Sequence, residues 1–262
     1  MSPISHSLRP VRVAAIALVV GFVSLVSLTA DDAPAPKSSP TLPHVVVPKL
    51  EAGIQVDGDL NEAVWKKAAV LTPLYRNDGS GRERERTQVR LWYDDQALYI
   101  GWTCRDSDIH GTFTQRDSKL WEEEEVVEFF VGPQSLNRYF ELQWNPVGGI
   151  FDAIIENELD EHGMSKAFHG EWDYTAREMK SAVKVKGTVE NSSNRDKSWQ
   201  VEIRLPFSDL SQPAPKAGEV WRANFHRYNR GKGHPTELLS WSPTLNPSFH
   251  QPSRFGYLEF GK

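Results

Sequence analysis

Residues 138–145 read RYFELQWN and Ser198–Pro206 reads SWQVEIRLP; both alternate apolar and polar side chains with a period of two. In the first stretch Phe140, Leu142 and Trp144 fall on one face, and Tyr139, Glu141, Gln143 and Asn145 on the other. In the second, Trp199, Val201, Ile203 and Leu205 point inward while Gln200, Glu202 and Arg204 point outward. That period belongs to strands, not helices. Thr87–Tyr93, Ala97–Arg105 and residues 126–131, 150–155, 179–186, 221–228 and 254–260 extend the pattern, with β-branched and aromatic content and turn-rich borders. Asp94-Asp95 separates two of these strands, as a tight hairpin requires. One short helix is expected near the start of the domain, where Asp59 can cap a first turn and Glu62 can reach back to it. Leu60, Val64 and Trp65 would then face the core. Roughly nine strands with one short helix predict an all-β fold, an antiparallel β-sandwich of jelly-roll or immunoglobulin-like type.

The 262 residues are enough for one large all-β domain with a sizeable core, or two small ones. A mean hydropathy of −0.50 argues against a polytopic membrane protein. With 30 Lys and Arg against 35 Asp and Glu, the formal charge is −5, so a basic surface fit to coat nucleic acid is not expected. Cys104 is the sole cysteine, which excludes an intrachain disulfide and a cysteine-based zinc site. Nine tryptophans are unusual: some will be core, but an excess of indole faces also suits the flat apolar faces of sugars.

The first 30 residues read as an address. Arg9 and Arg12 precede the apolar run VAAIALVVGFVSLVSL over residues 13–28, followed by Thr29-Ala30. This is the layout of a secretory signal peptide cleaved near Ala30, and the run is short for a membrane span, which needs about 20 residues. An uncleaved anchor is the alternative, and the only route by which the chain would engage a membrane. No cysteine follows the run, so lipoprotein processing is excluded. Removing residues 1–30 takes away two Arg and no acid, moving the charge from −5 to −7. Residues 31–44 contain the Pro/Ser-rich stretch APAPKSSPTLP and read as an exposed linker. The expected organisation is therefore a leader over 1–30, a linker over 31–44 and one folded domain over 45–262, secreted or held in the periplasm or envelope of a bacterium.

Little in the sequence supports intrinsic catalysis. There is no G-x-S-x-G elbow, no H-E-x-x-H and no Gly-rich phosphate loop. The densest signal is KLWEEEEVVEFFV over residues 119–131. Its four consecutive Glu cannot all be buried, so Trp121 is expected at a loop-to-strand junction near solvent, with Glu122 and Glu123 solvated. Glu128 differs, lying inside an apolar strand where a carboxylate must be paired, hydrogen-bonded or part of a site. If the next strand is its neighbour, Glu141 and Gln143 join it in a polar floor with Trp121 at the rim, which is what a sugar ring and its hydroxyls require. Phe249, in the irregular loop SWSPTLNPSFHQPSRFG over residues 240–256, is the candidate for a second wall; Trp241 is expected in the core.

Several segments in order resemble the family 9 carbohydrate-binding modules and their broader DOMON-like relatives. They are VDGDLNEAVW over residues 56–65, VRLWYDDQALYIGW over 89–102, residues 121–131, FELQWNPVGGIFD over 140–152 and SWQVEIRLPFSDL over 198–210. Ser240-Trp241-Ser242 and Pro252-Ser253-Arg254-Phe255-Gly256 complete the set, so the similarity runs over nearly all of 45–262. The resemblance implies a β-sandwich that grips the end of a glucan or xylan chain between two aromatic rings, without catalysis. By position, Trp121 is similar to one ring and Phe249 to the second, Glu128 to an acidic sugar contact and Asn246 to an amide contact. Two departures stand out: Phe249 replaces an indole, and Gln143 stands where an Arg is expected. The resemblance also implies a structural calcium, for which Asp57 and Asp59 are the candidate ligands. A poly- or oligosaccharide is then the ligand, and glycoside hydrolases are natural partners in polysaccharide breakdown.

Two other classes compete. An envelope scaffold protein could use the same sandwich without its sugar site. A b-type haem domain could draw axial ligands from His162, Met164, His169, Met179 and His226.

Overall fold

The computed structural model describes residues 41–231 and 233–262; the leader and most of the 31–44 linker lie outside them. The strands are β1 (His44–Val47), β2 (Ala69–Leu71), β3 (Tyr75–Arg76), β4 (Thr87–Tyr93), β5 (Ala97–Arg105), β6 (Val126–Gly132) and β7 (Arg138–Trp144), then β8 (Ile150–Leu159), β9 (Ser165–Glu171), β10 (Lys180–Lys186), β11 (Ser198–Pro206), β12 (Val220–Asn229), β13 (Glu237–Ser240) and β14 (Gly256–Phe260). A single helical turn, α1 (Leu120–Glu123), precedes β6. A five-stranded sheet runs β10-β11-β5-β4-β2 and a nine-stranded sheet runs β1-β14-β12-β6-β7-β8-β9, with β13 beside β12 and β3 beside β13. β1 joins β14 in parallel, and the other pairs of strands are antiparallel. The expected hairpin closes β4 onto β5, where Asp94 Oδ1 accepts the N–H groups of Gln96 and Ala97.

The sheets pack face to face over one apolar core, as period-two patterning demands. Phe129 and Leu142 from the large sheet meet Trp102, Val201 and Ile203 from the small one. Phe225 on β12 stacks on Phe129 at 4.8 Å and meets Trp102 edge-on at 5.8 Å. Trp241 is buried here as expected.

One cation lies among these apolar rings. Arg227 on β12 is fully buried and points across the sandwich. Its Nη2 donates to Asp106 Oδ2 at 2.9 Å, Asn229 Oδ1 at 3.0 Å and Glu125 Oε2 at 3.3 Å. Its Nη1 donates to the Arg105 carbonyl at 3.0 Å and to Thr87 Oγ1 at 3.2 Å. Asp106 also accepts the Trp199 indole N–H at 3.1 Å. Burial pushes the Asp106 and Glu125 carboxyls up, and the guanidinium draws them back.

The structure corrects the sequence reading in two places. The turn near Asp59 is not a capped α-helix: a 3-10 turn spans Ala63–Lys66, entered at Glu62, with no side-chain cap. Asp59 is bonded instead to Lys184 Nζ at 2.7 Å. Val64 and Trp65 are buried as expected, while Leu60 is only partly covered, lying with Trp65 over Gly101, where any Cβ would sit 2.8 Å from Leu60. Second, β1, β2, β3 and β9 have no clear period in sequence, because they are short or peripheral. The polar face of β7, expected as a floor, is buried at Glu141 and Gln143, because α1 and the 241–255 loop cover the outer face of the large sheet.

Replacing Arg227 with Ala would strand two buried carboxylates. Urea denaturation of R227A should show a loss of about 3–5 kcal/mol, the cost of breaking a buried ion pair from one side. A loss below about 1 kcal/mol would mean that the network is not holding the sheets.

Candidate functional site

The outer face of the large sheet carries an unusual row of polar side chains. Strand register sets Glu128 on β6 directly opposite Gln143 on β7 and His226 on β12, and His226 in turn opposite Ser240 on β13. Glu141 lies two residues from Gln143 on the same face and receives its Nε2 hydrogen bond at 2.6 Å. Glu128, Gln143 and His226 are each no more than 1% exposed.

Walls rise on three sides of this floor. The first is α1, carrying Trp121. Its position is fixed by Glu124, which accepts bonds from Thr112, the Phe113 N–H and Asn145, and by Arg230, which donates to the Trp121 carbonyl at 2.6 Å and the Glu124 carbonyl at 2.7 Å. The second is the 241–255 loop, pinned by buried Asn77: its Oδ1 accepts from Ser240 and Thr244, and its Nδ2 donates to the Asn246 carbonyl at 2.6 Å. The third is edge strand β9 with the residue just beyond it, presenting Phe168 and Trp172, both well exposed. Gly170 sets the Trp172 orientation, since a Cβ there would lie 2.6 Å from the indole. The Trp121 and Trp172 rings lie within 18° of parallel, with centroids 6.3 Å apart.

These elements enclose a cavity of about 110 Å³ that Trp121, Trp172, Phe168, Glu128, Glu141 and Gln143 line together with Phe249 and His250. Two atoms of its floor, Glu128 Oε2 and Gln143 Oε1, have no hydrogen-bond partner. Buried polar atoms normally find one.

Of the residues expected at the site, the structure brings together Trp121, Glu128, Gln143 and Phe249. Phe249 is only 4% exposed and stacks on His226 at 4.2 Å, so one of its faces is already taken. Asn246 lies apart, beside a separate cleft of about 530 Å³, and its side chain accepts the Ser248 N–H at 2.9 Å. Sequence reasoning missed Trp172, Phe168 and His250. A signal for Trp172 was available: flanked by Glu171 and Asp173, the indole has no adjacent apolar residue to be buried with.

Asp57 and Asp59 lie beyond the small sheet, where the N–H groups of Asp57 and Gly58 bind Glu202. They do not fit a calcium ion: Asp57 accepts the Asp59 N–H at 2.9 Å and the Lys184 ammonium holds Asp59. Nor do the candidate haem ligands converge. His226 is sealed beneath Phe249, Met179 packs on the core between the sheets, His162 and His169 are exposed, and Met164 accepts the Ser253 hydroxyl at 3.3 Å.

The electrostatics of the floor follow from burial. Desolvation, then the neighbouring Glu141, push the Glu128 carboxyl well up. Desolvation pushes Glu141 up to about 7, against the Gln143 hydrogen bond. It pushes His250 down to about 4 and His226 well down. The Tyr139 hydroxyl and His250 Nδ1 share a hydrogen bond at 2.6 Å, and His250 Nε2 lies 4.0 Å from Glu141. At mildly acid pH the floor is therefore polar but uncharged, able to hydrogen-bond hydroxyls without a buried ion.

The raised Glu141 favours folding in its protonated form, a contribution complete below the ordinary 4.5 and lost as pH rises through about 7. The lowered His250 acts in the opposite sense, its contribution complete above 6.5 and lost as pH falls through about 4. E141Q should melt close to wild type at acid pH and gain on it as pH rises through neutrality, read by thermal denaturation across that range. A gap that does not change with pH would remove Glu141 from this role.

The sequence profile of carbohydrate-binding family 9 matches residues 83–260. No curated protein matches the chain. Among solved structures, a candidate carbohydrate-binding protein from Bacteroides uniformis ATCC 8492 aligns with a TM-score of 0.63 at 18% identity, covering 84% of this chain and all of that one. A family 9 module from Caldicellulosiruptor kristjanssonii in complex with cellotriose aligns at 0.56 and 14% identity over 84% of this chain and 95% of its own. A family 9 module from that organism in complex with glucose gives 0.54 and 13%, over 83% and 97%. At these identities the structural likeness is one of fold. The family itself follows from the sequence match, which takes in most of the chain from β4 to β14: the protein is a member of carbohydrate-binding family 9.

Proposed function

We propose that the protein is an exported, non-catalytic glycan-binding protein that takes the terminal sugar of a neutral chain into the cavity lined by Trp121 and Trp172. The observation that carries this reading is the pair of unpartnered floor atoms, Glu128 Oε2 and Gln143 Oε1, beneath two nearly parallel indoles. A sugar ring offers apolar C–H faces to the indoles and vicinal hydroxyls to the floor. At about 110 Å³ the cavity is smaller than the ~300–1,000 Å³ of a drug-sized pocket, which suits one chain-terminal residue. The uncharged floor suits a neutral sugar. The leader over residues 1–30 supports export, and placement beside glycoside hydrolases would hold their polysaccharide substrate nearby.

Calorimetric titration tests the reading, with glucose and cellotriose as probes because family 9 modules of this fold have been solved with both. Wild type should release heat with cellotriose, and W172A should bind at least about tenfold more weakly, a loss of ~1.4 kcal/mol. Trp172 is the cleaner target because it is half exposed and lies farther from Phe151, at 5.5 Å against 4.8 Å for Trp121. Blocking the reducing end should abolish or preserve binding according to which chain end enters. No heat with any gluco-, xylo- or galacto-oligosaccharide, from well-folded protein, would overturn the proposal in favour of a scaffold role.

A further inference from the structure

At one end of the small sheet, lined by none of the residues of the Trp172 cavity, lies a larger concavity of about 840 Å³. Six exposed cations line it: Arg84, which pairs with Glu237 at 3.9 Å, and a row of five more, Arg86, Arg105, Lys186, Arg195 and Lys197. The fold gathers them from four segments. Backbone hydrogen bonds tie Arg105 to Arg86 at 2.8 Å and Lys197 to Lys186 at 3.0 Å, and the Asp106 N–H reaches the Lys197 carbonyl at 3.3 Å. The segments follow the strand order β10-β11-β5-β4, so the row crosses three strand spacings, about 15 Å.

The acids of this cleft are turned to other work. Asp106 is bonded to Arg227 and Trp199, Asp196 accepts the Ile109 and Thr188 N–H groups, and Glu85 accepts the Ser107 N–H. None of the five cations has an ion pair with a described carboxylate. In a chain of net charge −5, a row of unpaired like charges is a standing repulsion that a bound anion would relieve.

We propose that this cleft is a second binding site, for a segment of acidic polysaccharide bearing carboxylates or sulfates along its length. The cations span several sugar units, so the ligand is a polymer segment rather than a single small anion. Thr103, Ser107 and Ser198 interleave with the cations and supply hydrogen-bonding groups for sugar hydroxyls. Among the described residues no aromatic side chain lines the cleft for bases to stack on, and no apolar one is there to enter a bilayer. The choice of a glycan over other polyanions rests on the family; the anion site itself does not rest on the Trp172 cavity.

Retention of the full chain on polygalacturonate-coupled and dextran-sulfate-coupled resins separates the two sites and the two anion types. Wild type should be retained by at least one resin at low salt and released at high salt, because exposed charges are screened. R105E/R195E should bind at least about tenfold more weakly, as two reversed surface charges would give, while still binding cellotriose as wild type does. W172A should keep its polyanion retention. K186E/K197E serves as an independent variant should the first fail to fold. Absence of retention on both resins, or retention unchanged in a folded double variant, would overturn the site. Tighter binding to duplex DNA or to anionic phospholipid vesicles than to either polysaccharide would overturn the glycan assignment.

Discussion

Arg227 is the constraint around which the sandwich is arranged. A buried guanidinium is costly unless hydrogen-bonded, and the two Nη atoms of Arg227 meet five acceptors while its Nε–H has none among the described residues. Four groups on it come from outside β12: Asp106, Glu125, Thr87 and the Arg105 carbonyl. Meeting them fixes the depth and register at which β12 faces β4 and β5. Glu125 also accepts the Arg230 N–H, and Arg230 holds the backbone of α1. One buried cation therefore connects the packing of the sheets to the position of Trp121.

The middle of the large sheet, at β6 and β7, is buried on both faces, and this distinguishes the molecule from a plain sandwich. Its inner face is apolar. Its outer face mixes aromatic rings with Glu128, Glu141, Gln143 and His226 beneath a loop pinned by one asparagine, Asn77. Covering that face raises the cost of charge, so the carboxyls protonate more readily and the imidazoles stay neutral. The resulting surface resembles a sheet of hydroxyl and amide groups, which is the chemistry that complements a neutral sugar. The exposed end of the small sheet has the opposite character, being solvated and cationic, and each surface owes its chemistry to its burial.

Much of this could be read directly from the chain. Period-two alternation in RYFELQWN and SWQVEIRLP is a local property of the backbone, so the strands, their inward faces and the sandwich class follow from it. Glu128 announced itself because a carboxylate inside VVEFFV has no solvent to face, and the polar floor with Gln143 followed once β6 and β7 were taken as neighbours. Glu124 and Glu125, by contrast, look like the rest of their run until their partners at Thr112, Asn145, Arg227 and Arg230 are known.

Sequence alone determined the fold class, the family and the grouping of Trp121, Glu128 and Gln143 around one cavity, because each depends on neighbours in the chain or on an ordered set of motifs. Only the tertiary structure decided that Trp172 faces Trp121 and that Phe249 gives one face to His226. It alone set Asn246 outside the cavity and gathered the five cations of the small sheet. The physical reason is the same in each case. Which face of a ring is free, and which charge lacks a partner, are set by contacts between residues tens of positions apart, and nothing in a local pattern encodes them.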